Sequence, residues 1–408
     1  MTRTILSLAA LMMSAGVLLA GNGLQGTLIA VRANIEAYSL AAIGVIAASY
    51  YAGFIAGCML APRMIARAGH IRAFAAFAAI AAATSLIYAI SVEFFVWAFL
   101  RAVTGFCFAG LYMIIESWIN EKAENESRGR VLSVYRIIDF AALTIGQFLL
   151  MAADPAGFVL FSLVAIFIAL AIVPVSMTKV EGPKPPAQSE LNLLKMWRLS
   201  PLAVAGSFAV GLSNGAFWGV APVFVLQLGH GASTVSLFMS AAIIASALTQ
   251  WPVGLLSDKT DRRIVLVAVT GGAALAGLFL FFFAAMSTPA LMIGAAGFGA
   301  FAICIFGLCA AHANDHASDE DFVATSGGLL LVFGVGSVIG PVVAPLIMSA
   351  TAPQALFAYT AGVHTLLFLF GIYRMMRRAA VPVDEQADFV PAPVTTPTVF
   401  EIDPRGAD

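Results

Sequence analysis

The sequence predicts an all-α membrane protein whose twelve transmembrane helices form two pseudo-symmetric six-helix bundles. Three observations lead there. Of 408 residues, 61% are hydrophobic and only 11% charged, about half the charged share of a soluble domain. The apolar runs reach 20 residues or more, the length at which a helix crosses hydrocarbon, unlike the short alternating segments of a barrel. With a cytoplasmic N-terminus, 18 of the 21 Lys and Arg residues fall in inside segments, as the positive-inside rule requires. Soluble, disordered, collagenous and disulfide-framework classes are excluded. A net charge of −1 without a basic stripe excludes nucleic-acid binding.

The first apolar run follows Met1-Thr2-Arg3 and continues to Val31, too long for the core of a secretory signal. It reads as a helix near 5–31, followed by helices near 40–62, 73–92, 94–119, 131–151 and 156–177. These make an N-terminal bundle over 1–177. A cytoplasmic linker spans 178–199: the GPKPP run at 182–186 cannot continue a helix, and Leu191–Leu199 has the pattern of an interfacial helix. The C-terminal bundle (200–379) holds helices near 200–228, 234–257, 263–286, 288–311, 323–349 and 354–378. The tail, 380–408, has five prolines and more acid than base, and reads as disordered and cytoplasmic. An even number of spans puts both termini inside. Cys58, Cys107, Cys304 and Cys309 lie in apolar runs without zinc spacing and read as small buried hydrophobes.

The halves echo each other. Asn22-Gly23 in the first helix recurs as Asn214-Gly215 in the seventh, and Gly57 in the second as Gly254 in the eighth. Two similar halves are how many secondary transporters enclose a midplane site.

Between helices eight and nine runs Gly254-Leu-Leu-Ser-Asp258-Lys259-Thr-Asp261-Arg262-Arg263. It resembles the loop signature of the major facilitator superfamily, Gly-x-Leu-x-Asp-Arg-x-Gly-Arg-Arg, with Asp261 in place of the second glycine. The resemblance covers the whole chain and implies the major facilitator fold. It also implies that Gly254, Asp258, Arg262 and Arg263 latch an inner gate. The first-half loop after Gly57 departs from the pattern, with Ala61 where the aspartate belongs. Arg101-Ala-Val-Thr-Gly105 is similar to the family's cavity-facing Arg-x-x-x-Gly element. Gly336-Ser-Val-Ile-Gly340-Pro341 suggests a flexible packing element. Helix five reads Thr144-Ile-Gly146-Gln147 and lacks the Gly-Pro-x-x-Gly-Gly run of proton-coupled drug exporters. Glu116-Ser-Trp-Ile-Asn120 and Ala311-His312-Ala-Asn314-Asp315-His316 look like strings of a poorly characterised bacterial subfamily.

Ionisable residues at membrane depth are costly and mark candidate sites. There are four: Arg101 and Glu116 in helix four, Arg136 and Asp139 in helix five. A Glu116–Arg136 pair across the antiparallel helices would leave Asp139 as the deeper proton carrier; Arg136–Asp139 at i,i+3 is the alternative, a local structural pair. Asn22 and Gln25 share a face of helix one, and Asn214 and Trp218 a face of helix seven. The resemblance implies a cavity lined by helices one, four, seven and ten, in which Asn22, Gln25, Arg101, Asn214 and Trp218 would bind the solute. As ionisable residues at membrane depth, Glu116 and Asp139 are the expected proton-coupling carboxylates and Arg136 a gating residue. The acidic, His-bearing loop of His312, Asp315, His316, Asp319, Glu320 and Asp321 is expected to cap or gate rather than hold a metal, and to pair with Arg263 or the Arg374–Arg378 cluster.

The expectation is a secondary transporter in the bacterial inner membrane, monomeric and without cofactor. It moves a small organic solute, anionic if Arg101 anchors it, by proton-coupled alternating access. The rivals are proton-antiport efflux of hydrophobic compounds and a receptor-like sensor on a transporter fold. No HExxH, GxSxG or phosphate-cradling loop points to an enzyme.

Overall fold

The structure is a computed structural model describing residues 2–122, 128–177, 193–317, 322–387, 389–390 and 394–401. Among them are helices and short 3₁₀ turns, and no strand. The first half comprises α1 (Thr2–Ile35), α2 (Leu40–Ala68), α3 (His70–Ile90), α4 (Phe94–Lys122), α5 (Arg128–Leu149), α6 (Val159–Leu170) and α7 (Ile172–Ser176). After α8 (Leu193–Leu199) come α9 (Pro201–Gln227), α10 (Ala232–Lys259), α11 (Arg262–Phe283), α12 (Thr288–Ala302), α13 (Ile305–Asn314), α14 (Phe322–Ala350) and α15 (Ala355–Arg377). Among the described residues, twelve spans are long and apolar enough to cross a membrane, the sixth built from α6 and α7 and the tenth from α12 and α13. In hydrocarbon a spanning chain must satisfy its backbone internally, which these helices do. The proline-rich stretch 182–186 and Asp319, Glu320 and Asp321 lie outside the described residues.

Local chemistry explains the ends. Ser200 caps α9, its hydroxyl accepting the Ala203 N–H, with Pro201 as the first helical residue. Ser287 caps α12 in the same way. Gly69, at φ 80°, turns the chain between α2 and α3, a conformation open to glycine and strained for other residues. α2 runs past its expected end at 62 to Ala68, through Pro62; interior prolines are tolerated in membrane helices, where neighbours re-satisfy the freed carbonyl. α8, Leu193–Leu199, falls within the expected interfacial segment, whose residues 191 and 192 lie outside the described residues.

The chain divides into two compact units. The first comprises Met1–Ala37, Ser49–Ser189 and Ala392–Asp408, and the second Tyr38–Ala48 and Glu190–Pro391. The start of α2 thus groups with the second unit, and the end of the tail with the first. Each unit has a glycine-mediated helix pair at its core. In the first, Gly23 of α1 lies against Leu143 of α5, and a Cβ on Gly146 would strike the Ala20 carbonyl. In the second, Gly215 of α9 faces Ser337 of α14, and Cβ atoms on Gly336 and Gly340 would strike the Phe208 and Leu212 carbonyls. Small residues let membrane helices approach to backbone contact. The Asn-Gly echo therefore marks equivalent pairs, and the Gly336–Gly340 element serves close packing.

The most buried spans are the first, fourth, seventh and tenth, at 78%, 72%, 78% and 56%, against 33–50% for the other eight. These are the four named for a central cavity. The described part of the tail is structured where disorder is expected. It has 3₁₀ turns at Val383–Glu385 and Pro397–Glu401, and Thr395, Thr396, Thr398 and Val399 are buried. Composition measures the core a segment can build alone; the end of this segment instead packs on α4, where Thr395 and Thr396 meet Glu116.

Candidate functional site

In the first unit the site grows from a helix crossing. Gly53 of α2 and Gly105 of α4 meet so closely that a Cβ on Gly53 would strike the Ala102 carbonyl, and one on Gly105 the Tyr50 carbonyl. That contact sets the Tyr50 ring beneath Arg101, whose guanidinium carbon lies 4.4 Å from the ring centroid. A stacked cation gains about 0.5–2 kcal/mol, but the ring accepts no conventional hydrogen bond. Arg101 Nε and Nη1 are buried with no hydrogen-bond partner among the described residues. Nη2 is 3.7 Å from where a Gly26 Cβ would stand, ordinary van der Waals contact, so the guanidinium lies alongside α1. Asn22, one turn before Gly26, donates to the Tyr112 hydroxyl at 3.3 Å. Tyr112, Phe54 and Tyr50 follow with ring centroids 6.1 and 6.0 Å apart. Tyr112, Phe54 and Tyr50 thus form a row of rings that ends at the Arg101 guanidinium.

Gln25 does not join it. Fully buried, it turns to α3 and donates to the Ser85 hydroxyl at 2.8 Å. Residues three apart on a helix are about 60° apart around its axis, enough to send Asn22 and Gln25 to different neighbours.

Arg136 donates to Asp139 at 2.5 Å and lies over the Phe140 ring at 4.0 Å, which is the local i,i+3 arrangement. Glu116 is fully buried, and both its carboxylate oxygens accept hydroxyls from the tail, Oε1 from Thr395 and Oε2 from Thr396. Its sequence string gave no hint of these partners.

In the second unit, Asn214 is buried with Oδ1 unpartnered among the described residues, while Trp218 is half-buried beside Phe217. Phe217, Phe224, Phe238, Phe298 and Phe357 are buried against one another, with Phe217 stacked on Phe298 at 4.7 Å. These aromatics form a core.

The loop between α10 and α11 is a charge network. Arg262, 1% exposed, bridges Asp258 at 3.0 Å and Asp315 at 2.6 Å. Asp315 of the acidic loop thus pairs with Arg262. Arg263 is engaged by Asp261, whose Oδ1 accepts its backbone N–H and Nε–H, both at 3.0 Å, and whose Oδ2 accepts from Nη2 at 2.7 Å. Asp261 also caps α11. Burial is the largest single influence on its carboxyl and pushes it up; the hydrogen bonds and charge of Arg263 outweigh that, holding it below its ordinary value. The His312 and His316 rings are 5.0 Å apart, and His316 Nδ1 bonds the His312 carbonyl. Among the described residues no three His, Cys, Asp or Glu side chains converge as metal ligands would.

The family model described as Major Facilitator Superfamily matches residues 203–401, and that described as Sugar (and other) transporter matches 24–180. The chain belongs to the major facilitator superfamily. It is 25% identical over 343 residues to the uncharacterized MFS-type transporter YcaD of Escherichia fergusonii, covering 84% of this chain and 88% of the relative. YcaD of Salmonella typhi matches to the same extent. The fold is that of the nucleoside transporter NupG (TM-score 0.77, 14% identity, 90% of this chain and 98% of that one). It is also that of a bacterial homolog of the human lysosomal transporter Spinster, inward-facing and occupied (TM-score 0.72, 13% identity, 93% and 97%). This major facilitator is a multi-pass membrane transporter of small solutes. Its sequence pointed to Arg101 and to the Gly254–Arg263 motif. It did not point to Tyr50 or Phe389, nor to Arg262 as the partner of Asp315; these links span 51, 131 and 53 positions and follow no local pattern.

Proposed function

We propose that this transporter moves a small organic anion by alternating access, coupled to protons, with Arg101 as the anchor for the solute's carboxylate. The unsatisfied Nε and Nη1 of Arg101 carry this reading. A buried donor without a partner costs about 1–3 kcal/mol, more when charged, and a carboxylate accepts the planar fork of arginine with two parallel bonds. Tyr50, Asn22 and Tyr112 line the approach in the same unit; Asn214 and Trp218 are the second unit's candidate contacts. Asp139 and Glu116 are the candidate proton carriers: protonating Asp139 would weaken its hold on Arg136, and a change at Glu116 would alter its hold on the tail. In this reading the protein acts as a monomer in the bacterial inner membrane with both termini cytoplasmic. The Gly254–Arg263 motif then works at the inner face.

The test is uptake of labelled mono- and dicarboxylates, from acetate to citrate, by proteoliposomes with and without an imposed proton gradient. At least one should enter faster with the gradient, and R101A should abolish its uptake. R101K keeps the charge but loses the fork, and should transport at a small fraction of the wild-type rate. Equal flux without the gradient would remove the coupling. Wild-type uptake by both variants would remove the anchor.

A further inference from the structure

The Gly254–Arg263 motif already holds a ligand, and that ligand is the chain's own tail. Asp258 Oδ1 accepts the backbone N–H of Phe389 at 2.8 Å, and Arg262 Nη2 donates to the Ala387 carbonyl at 2.7 Å. The motif's acid thus reads a peptide donor, and its base reads a peptide acceptor two residues earlier. Charged partners roughly double the strength of such bonds. The Phe389 ring is seated between two positions that have no side chain. Its Cε1 is 2.8 Å from where a Gly254 Cβ would stand, and its Cζ is 3.2 Å from the same point at Gly307. A residue larger than glycine at 254 would evict the ring.

The first half shows what this seat replaces. A Cβ on Gly57, the counterpart of Gly254 in the repeat, would come within 2.7 Å of the Phe106 carbonyl and Ala109 Cβ of α4. There a helix closes directly on the glycine. In the second unit an aromatic side chain delivered by the tail takes that place. The first unit holds the following part of the tail separately, through the hydroxyls of Thr395 and Thr396 on Glu116 and the burial of Val399.

We propose that the Gly254–Arg263 motif is a docking site for an extended peptide with an aromatic anchor, and that Ala387 and Phe389 are its resident occupant, an inhibitory ligand tethered to the transporter. The inhibition rests on the inner-gate role that the family resemblance implies for the motif: while the tail is seated, Asp258 and Arg262 are committed to it, and the loop cannot re-pair as such a gate requires. The docking does not depend on that role.

Hydrogen–deuterium exchange of the full-length protein in lipid nanodiscs reads docking without any transported solute. Amides around Phe389 should exchange at least ten-fold more slowly than in a free synthetic peptide of residues 383–401. F389A and D258A should each abolish that protection. Excess peptide should also abolish it by displacing the tail, whereas the F389A form of the peptide should not. Equal exchange in wild type, F389A and D258A overturns the docking site. F389A lies outside the proposed solute site, so it supplies the regulatory arm in the carboxylate uptake assay, where its initial rate should rise at least two-fold. Released exchange with unchanged uptake overturns the inhibition and leaves the transport reading intact. If no variant takes up any carboxylate, the transport reading fails and exchange alone decides the docking.

Discussion

Replacing Arg262 by methionine should destabilise the second unit strongly, by an amount the structure lets us bound. The guanidinium is 1% exposed and serves three acceptors: Asp258 at 3.0 Å, Asp315 at 2.6 Å and the Ala387 carbonyl at 2.7 Å. The Asp315 side chain is equally buried, at 1%. Removing one partner of a buried ion pair costs about 3–5 kcal/mol, because the other charge is stranded. Replacing both partners with neutral groups costs far less. D315N alone should also destabilise, and the R262M/D315N double variant should lose less than the sum of the two singles. The coupling should fall at the upper end of the ~0.5–3 kcal/mol seen for contacting residues. Equilibrium unfolding in mixed dodecylmaltoside and SDS micelles, followed by tryptophan fluorescence, would measure all four proteins. Strict additivity would refute the argument, since it would mean that Arg262 and Asp315 do not feel each other. A cost below ~1 kcal/mol for R262M would refute it too, placing the pair in the range of surface salt bridges.

Gly105→Ala should cost about 1–3 kcal/mol by overpacking the α2–α4 crossing against the Tyr50 carbonyl, and should lower carboxylate uptake by shifting Tyr50 from Arg101; a wild-type melting temperature would contradict it. Asp261→Ala removes the α11 cap and should cost about 1 kcal/mol at neutral pH. Because the folded carboxyl sits below its ordinary value, that difference should be fully present above about pH 4 and shrink as pH falls through the lowered folded value, which paired unfolding titrations would show. Any carboxylate that enters the proteoliposomes should raise the melting temperature of wild type and leave that of R101A unchanged.

The spans were legible because lipid enforces one solution for the backbone, and because Lys and Arg report the loops. The Asn-Gly echo was legible as a repeat, but its packing was not: that Gly23 lies against Leu143 and Gly215 against Ser337 emerges only in the fold. Site chemistry was legible only where one residue type sufficed. Arg101 stood out as an arginine with no acid nearby on its helix, but nothing in the string Arg101–Gly105 names Tyr50 as the ring beneath it. Gln25 was grouped with Asn22 by spacing, yet a 60° offset gave it to Ser85. The tail was the least legible part. Its order depends on surfaces presented by Gly254, Gly307 and Glu116, none of which its own composition reflects. Asp261 looked like a defect in the motif; in the fold it caps a helix and fastens Arg263.

The start of α2 bears on how the gene can be cut. The linker at 178–199 invites division into two separately expressed halves, yet the second unit includes Tyr38–Ala48. Gly44 lies against Pro341 and Pro345, and Ala47 against Gly219. A polypeptide starting at residue 190 would therefore be born without eleven residues of its own unit. It would have to recruit them from the other half, so complementation by split genes would report assembly as well as folding. A circular permutant opened between α1 and α2, near Tyr38, would keep those residues joined to the rest of α2 and is the better starting point for dissection.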